Sequence, residues 1–111
     1  MAIVQINFGN DISEAEVEAR TSPEQTQAIA GVPGLLWKVW LRAPERREIG
    51  GIYLFESREA AEAYVAGPIV ARIKGNPDYQ DVAVKIFDVR GAPSRVTRAP
   101  LAGLLTVVGS R

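Results

Sequence analysis

Leu35-Leu36-Trp37-Lys38-Val39-Trp40-Leu41-Arg42, followed after a charged loop by Gly50-Gly51-Ile52-Tyr53-Leu54-Phe55-Glu56, decides the fold. Both runs are rich in aromatic and branched apolar residues. Turn formers bound them: Pro33-Gly34 before the first, and Pro44 to Glu48 between the two. This pattern predicts a β-hairpin. Alternation puts Leu35, Trp37, Val39 and Leu41 on one face of the first strand, and Leu36, Lys38, Trp40 and Arg42 on the other. In the second strand Ile52 and Leu54 oppose Tyr53 and Phe55.

Working outward, Ala2 to Phe8 reads as a strand with Val4, Ile6 and Phe8 on one face. Ser13 followed by Glu16 resembles a capping box. Ser22-Pro23-Glu24-Gln25 is a second helix start, with Ser as cap and Pro at the first helical position. A helical region from Ser13 to Ala30, broken near Thr21, is therefore expected, ended by Gly31 and Pro33-Gly34. After the hairpin, Ser57 caps a helix from Arg58 to Ala66. Gly67-Pro68 interrupts it, and Ile69 to Lys74 resumes it. Gln80 to Val89 is the last main strand. The order is βαββαβ, an α+β ferredoxin-like arrangement. It predicts a four-stranded antiparallel sheet with two helices on one face. Residues 1–95 make this domain, and 96–111 form a C-terminal extension. The apolar run from Leu101 to Val108 there suits a short strand, a helix or an arm reaching a partner.

The chain has 111 residues, of which 47% are hydrophobic, enough for one domain with a real core. Acidic and basic residues balance at 13 each, so no basic field points to nucleic acid. No apolar run approaches a membrane span. The first residues, Met1 to Gln5, lack signal-peptide character, so a cytoplasmic location is expected. There is no cysteine and no histidine. Thiolate chemistry, zinc-thiolate sites, the Ser-His-Asp arrangement and an imidazole base are excluded. No metal is expected, since the carboxylates show no metal-binding spacing.

Val4/Ile6/Phe8, Leu35/Trp37/Val39/Leu41, Ile52/Leu54 and Val82/Val84/Ile86 are assigned to the helix-covered side. The opposite side then carries Ile3, Leu36, Trp40, Tyr53, Phe55, Ala83 and Phe87 among a few polar residues. An antiparallel sheet face that met water would be more polar. A homodimer through the face carrying Trp40, Tyr53, Phe55 and Phe87 is expected, unless the C-terminal tail folds back over it.

Four stretches together resemble a known family: Pro33 to Trp40, Glu48 to Phe55, Ala71-Arg72-Ile73-Lys74, and Val84 to Val89. They are similar, in order and spacing, to the YdhR-like monooxygenases, over roughly residues 30–95. The resemblance implies a dimeric α+β barrel and kinship with the antibiotic-biosynthesis monooxygenases, which oxidise phenolic polyketides without metal, flavin or haem. The superfamily also contains cyclases, isomerases and haem-degrading enzymes, so fold alone does not settle chemistry. With no histidine to serve as axial ligand, a haem role is not expected.

Three residues are candidates for the chemistry. Trp37, assigned to the helix-facing side where the kindred enzymes hold substrate, stacks on a planar ring or is simply core. Arg72, in the broken second helix, holds a phenolate or pairs with an acid on the surface. Tyr64, on the same helical segment, bonds a substrate oxygen or is packing. Glu48 is a base if desolvated, or the partner of Arg46 or Arg47. The expected activity is a cofactor-independent monooxygenase acting on a small aromatic or polyketide-like phenol with O2. A cyclase or isomerase of the same fold, or a non-catalytic small-molecule-binding dimer, is the alternative.

Overall fold

A computed structural model of the chain describes residues 1–101. Strand β1 spans Ala2–Asn10, β2 Leu35–Ala43, β3 Glu48–Phe55 and β4 Tyr79–Asp88. Helix α1 spans Glu14–Arg20, α2 Pro23–Ala30, α3 Arg58–Val65, α4 Pro68–Gly75 and α5 Gly91–Val96. Local signals set the helix starts. The side chains of Ser13, Ser22 and Ser57 accept from the backbone N–H of Glu16, Gln25 and Ala60 at 3.1, 3.3 and 3.1 Å. Glu16 turns to Arg20 instead of completing a capping box, at 2.9 Å. Pro23 and Pro68 open α2 and α4, so each predicted break falls where a proline has no N–H to continue the previous helix.

The strands form one sheet in the order β2-β3-β1-β4, with every neighbouring pair antiparallel. Val4, Ile6 and Phe8 pack in one core with Ala61, Tyr64 and Val70, and Ile29, Ile69 and Ile73 lie against it. Helices α2, α3 and α4 therefore cover the same face. The fold is the ferredoxin-like α+β arrangement read from the order of elements. Gly34 closes the entry to β2 at φ +81°, a conformation L side chains rarely adopt, and a Cβ there would stand 2.5 Å from that of Ala60.

Register decides which side chains enter the core, because directly opposed residues of an antiparallel pair share a face. Ala2 opposes Phe55, Val4 opposes Tyr53 and Ile6 opposes Gly51. Tyr53 and Phe55 are thus under the helices, 2% and 0% exposed, and Ile52 and Leu54 point the other way. This corrects the assignment of Tyr53 and Phe55 to the open face. On β4, Ile86 opposes Val4 and Val84 opposes Ile6, so these two face the helices as expected, while Phe87, opposite Ile3, faces away.

Strand β2 carries the second correction. Lys38 opposes Tyr53 and Trp40 opposes Gly51, so both lie on the helix side. Trp37 opposes Leu54, Val39 opposes Ile52 and Leu41 opposes Gly50, on the open side. The physical cause is a bulge: between Leu35 and Trp37 the strand advances two residues while β3 advances one. Leu35 stays against the core, and every residue after the bulge is flipped relative to it. The open face therefore carries Ile3, Trp37, Val39, Ile52 and Phe87 in place of Trp40, Tyr53 and Phe55.

The Trp37 indole donates to the carbonyl of Pro100 at 2.7 Å, and Leu101 is buried. The chain thus returns to the open face beside β2 after α5. The element expected between Leu101 and Val108 falls, beyond Leu101, outside the described residues. Among the described residues no helix is long and apolar enough to cross a membrane.

Candidate active site between the sheet and the helices

An open cavity of about 720 Å³ lies between the helix-covered side of the sheet and helices α1, α2 and α4. That size suits a small organic ligand. The sheet contributes Ile6, Phe8, Ile49 and Tyr53 to its wall, and the helices add Val17, Ile29, Ile69 and Ile73. Into this apolar space the fold brings Lys38 and Trp40 from β2 and Arg72 from α4.

Lys38 has the most unusual surroundings. Its Nζ stands 3.2 Å from the centroid of the Trp40 ring and 4.5 Å from that of Tyr53. Its stem crosses β3 at Gly51, where an added Cβ would come 2.6 Å from Lys38 Cε. The glycine is thus the space the lysine occupies. Loss of water lowers the Lys38 pKa from 10.5 to about 8. Neither Lys38 nor Arg72 is in an ion pair among the described residues.

The other cavity arginines are neutralised. Arg20 holds Glu16 at 2.9 Å and Asp78 at 2.8 Å, and donates to the Tyr79 hydroxyl at 3.3 Å. Arg42 reaches Glu14 at 3.3 Å. Lys38 and Arg72 are consequently the cations left to meet a ligand.

Tyr53 forms the aromatic floor, its ring centroid 5.0 Å from that of Tyr64. Burial, reinforced by Tyr64, pushes the Tyr53 phenol above its ordinary pKa, so it stays neutral. Burial likewise raises Tyr64. The Tyr64 hydroxyl is enclosed with no hydrogen-bond partner among the described residues.

Of the three residues singled out in the sequence, Arg72 lines the cavity. Tyr64 packs behind Tyr53, in the core, rather than among the lining residues. Trp37 lies on the opposite side of the sheet, bonded to Pro100, which corrects its expected helix-facing position. Glu48 pairs with Arg46 at 3.0 Å, the ion-pair reading of that residue. Lys38, Trp40 and Tyr53 were missed as site residues. The available signal was Gly51, which strand geometry sets beside Trp40.

Residues 3–100 match the family model described as "Putative mono-oxygenase ydhR". The chain belongs to the ydhR family. No curated relative matches this ydhR-family chain by sequence. Among solved structures it is similar to one from Deinococcus radiodurans described as a putative antibiotic biosynthesis monooxygenase, with TM-score 0.65 and 14% identity over 83% of this chain and 95% of that one. It is also similar to SnoaB from Streptomyces nogalater, a cofactor-independent oxygenase, with TM-score 0.60 and 19% identity over 82% and 95% of the two chains. A third is MhuD, a haem degrader from Mycobacterium tuberculosis, with two haems in its active site, TM-score 0.56 and 22% identity over 79% and 95%. At these identities the likeness is one of fold.

The cavity of this chain does not fit a haem iron: the chain has no histidine or cysteine, the Tyr53 phenol is held in its protonated form by burial, and the Tyr79 hydroxyl is engaged by Arg20.

The Lys38 environment predicts how stability depends on pH. Between about pH 8 and 10 the unfolded chain keeps the Lys38 proton that the fold releases, so stability rises with pH. Above about pH 10 the raised Tyr53 and Tyr64 reverse the slope, because the unfolded phenols ionise first. Denaturant unfolding should show Lys38→Met losing this rise, a difference of roughly 1 kcal/mol between pH 7 and 9.5 after discounting for retained water. Equal slopes in the two proteins would show that the amine keeps its ordinary hydration.

Proposed function

We propose that this protein is a cofactor-independent mono-oxygenase that uses O2 to oxidise a phenolic, polyketide-like aromatic. The observation that carries this reading is the cavity itself, in which the Trp40 and Tyr53 rings adjoin two cations, Lys38 and Arg72, that have no ion-pair partner among the described residues. Membership in a family described as mono-oxygenase, and a fold shared with a cofactor-independent oxygenase, support it.

The chemistry asks little of the protein. A phenol loses its proton, the phenolate gives one electron to O2, and the resulting pair joins as a hydroperoxide. Loss of water then leaves a quinone, so one O2 yields one quinone oxygen and one water. The protein must orient the ring, exclude water and hold the anion. Trp40 and Tyr53 supply flat faces for the substrate plane. Arg72 is a permanent cation for the developing phenolate. Tyr64 acts through Tyr53, whose ring it backs. Trp37 has no part in this set, because it lies on the other side of the sheet.

A cyclase or isomerase would commonly lean on an imidazole base, which this chain lacks. A non-catalytic small-molecule-binding dimer would share the cavity but consume no O2. Purified protein freed of metals and flavin should consume O2 and form quinone from members of a panel of phenols and anthrones. Arg72→Ala should lower kcat/KM about tenfold to hundredfold while the protein remains folded. No uptake across the panel would contradict the oxygenase reading and favour a non-redox enzyme or a binder.

We further place a second copy of the chain against the open face. Val39 and Phe87 are 49% and 48% exposed there, among Ile3 and Ile52, on a surface too apolar to face water alone. Sedimentation should find a dimer that the pair Val39→Lys and Phe87→Lys converts to a folded monomer. A monomeric parent protein would contradict this placement.

A further inference from the structure

We propose that Lys38 is the base that removes the proton from the substrate's phenolic oxygen. This rests on the reading of the cavity as a site that ionises a phenol. It assigns that step to a residue of the strand next to the bulge.

Each element that lines the cavity faces it with different chemistry. Arginine cannot accept a proton, which removes Arg20, Arg42 and Arg72. From β3, Tyr53 is a protonated phenol held so by burial. From β4, the Tyr79 hydroxyl is already engaged by Arg20. From α1 and α2, Glu18 and Glu24 border the space at solvent-exposed positions, away from the ring-lined floor where Lys38 lies. Strand β1 contributes only the apolar Ile6 and Phe8. The Lys38 amine remains. It lies between two rings, with no carboxylate among the described residues paired to it as an ammonium, in a channel opened by Gly51.

The step balances simply. The phenol O–H bond breaks and its electron pair stays on oxygen. An N–H bond forms at Nζ, turning the neutral amine into an ammonium, and nothing is oxidised or reduced. The ammonium then faces the phenolate as an ion pair, and the Trp40 and Tyr53 rings stabilise it through their π faces. Desolvation supports the first half of the cycle, since near pH 8 a large share of Lys38 is free amine. Later steps return the proton with the water that leaves.

The probe is a 7-hydroxycoumarin, whose phenol and phenolate absorb at different wavelengths. Bound to the parent protein it should show the phenolate band at a pH where the free dye is mostly phenol, with an ionisation constant at least about tenfold larger. Lys38→Met should bind the dye as phenol, without that shift, and circular dichroism should show it folded. Lys38→Arg keeps a cation but cannot take the proton. It should retain the phenolate band yet lose the rise of kcat/KM around pH 8. Failure of the parent protein to bind or ionise the dye, or an equal shift in Lys38→Met, would overturn the assignment. Ionised dye without O2 uptake on any phenol leaves Lys38 its role and removes the oxygenase reading. Undiminished O2 uptake by Lys38→Met does the reverse.

Discussion

The extra residue at the start of β2 is the constraint on which the site depends. One side chain more on β2 than on β3 sends Trp37 to the open face and turns Lys38 and Trp40 to the cavity side, where Trp40 stays partly open to solvent. Without it the cavity would face Trp37, Val39 and Leu41, with no cation from the sheet. Both sides of the bulge find partners: Leu35 packs against the core before it, and the Trp37 indole donates to the Pro100 carbonyl after it. A residue count on one strand thereby selects between an inert core and a chemical one.

Electrostatics then follow from which charges are left over. The rim arginines are matched to acids of α1 and of the turn before β4, and their fields are spent on holding α1 to that end of the sheet. Lys38 and Arg72 have no such match among the described residues. A cation without a counterion in a partly dry, ring-lined space favours an anion arriving from outside. Neutral Tyr53, kept protonated by burial, adds no competing negative charge. Shape and charge thus support the proposed guest, a flat molecule able to give up a proton.

Much of this was legible in the sequence, and the division has a physical basis. Serine caps, helix-opening prolines and the hairpin were readable because each is decided by residues within a few positions of one another. Arg72 was legible for the same reason, since Gly67-Pro68 fixes where its helix restarts. The choice of face was not. Strand β3 offers Ile52 and Leu54 on one side and Tyr53 and Phe55 on the other, both apolar enough to be core. Only pairing with β1, more than forty residues away, settles it. The β2 bulge is likewise a property of the pair, invisible to alternation within one strand. A lysine in a strand ordinarily marks the wet side; here Gly51, whose space the Lys38 stem occupies, is the local trace in the sequence, and the two flanking rings are seen only in the fold.

The central claim is that Trp40 faces the ligand and Trp37 does not. The chain has only these two tryptophans, so their fluorescence separates the faces. Variants Trp37→Phe and Trp40→Phe each leave one reporter, to be titrated with 5-hydroxy-1,4-naphthoquinone, a flat, non-fluorescent phenol. Saturable quenching of Trp40 in the first variant, with Trp37 nearly silent in the second, is the predicted result. Quenching confined to Trp37 would place the site on the open face and contradict the account.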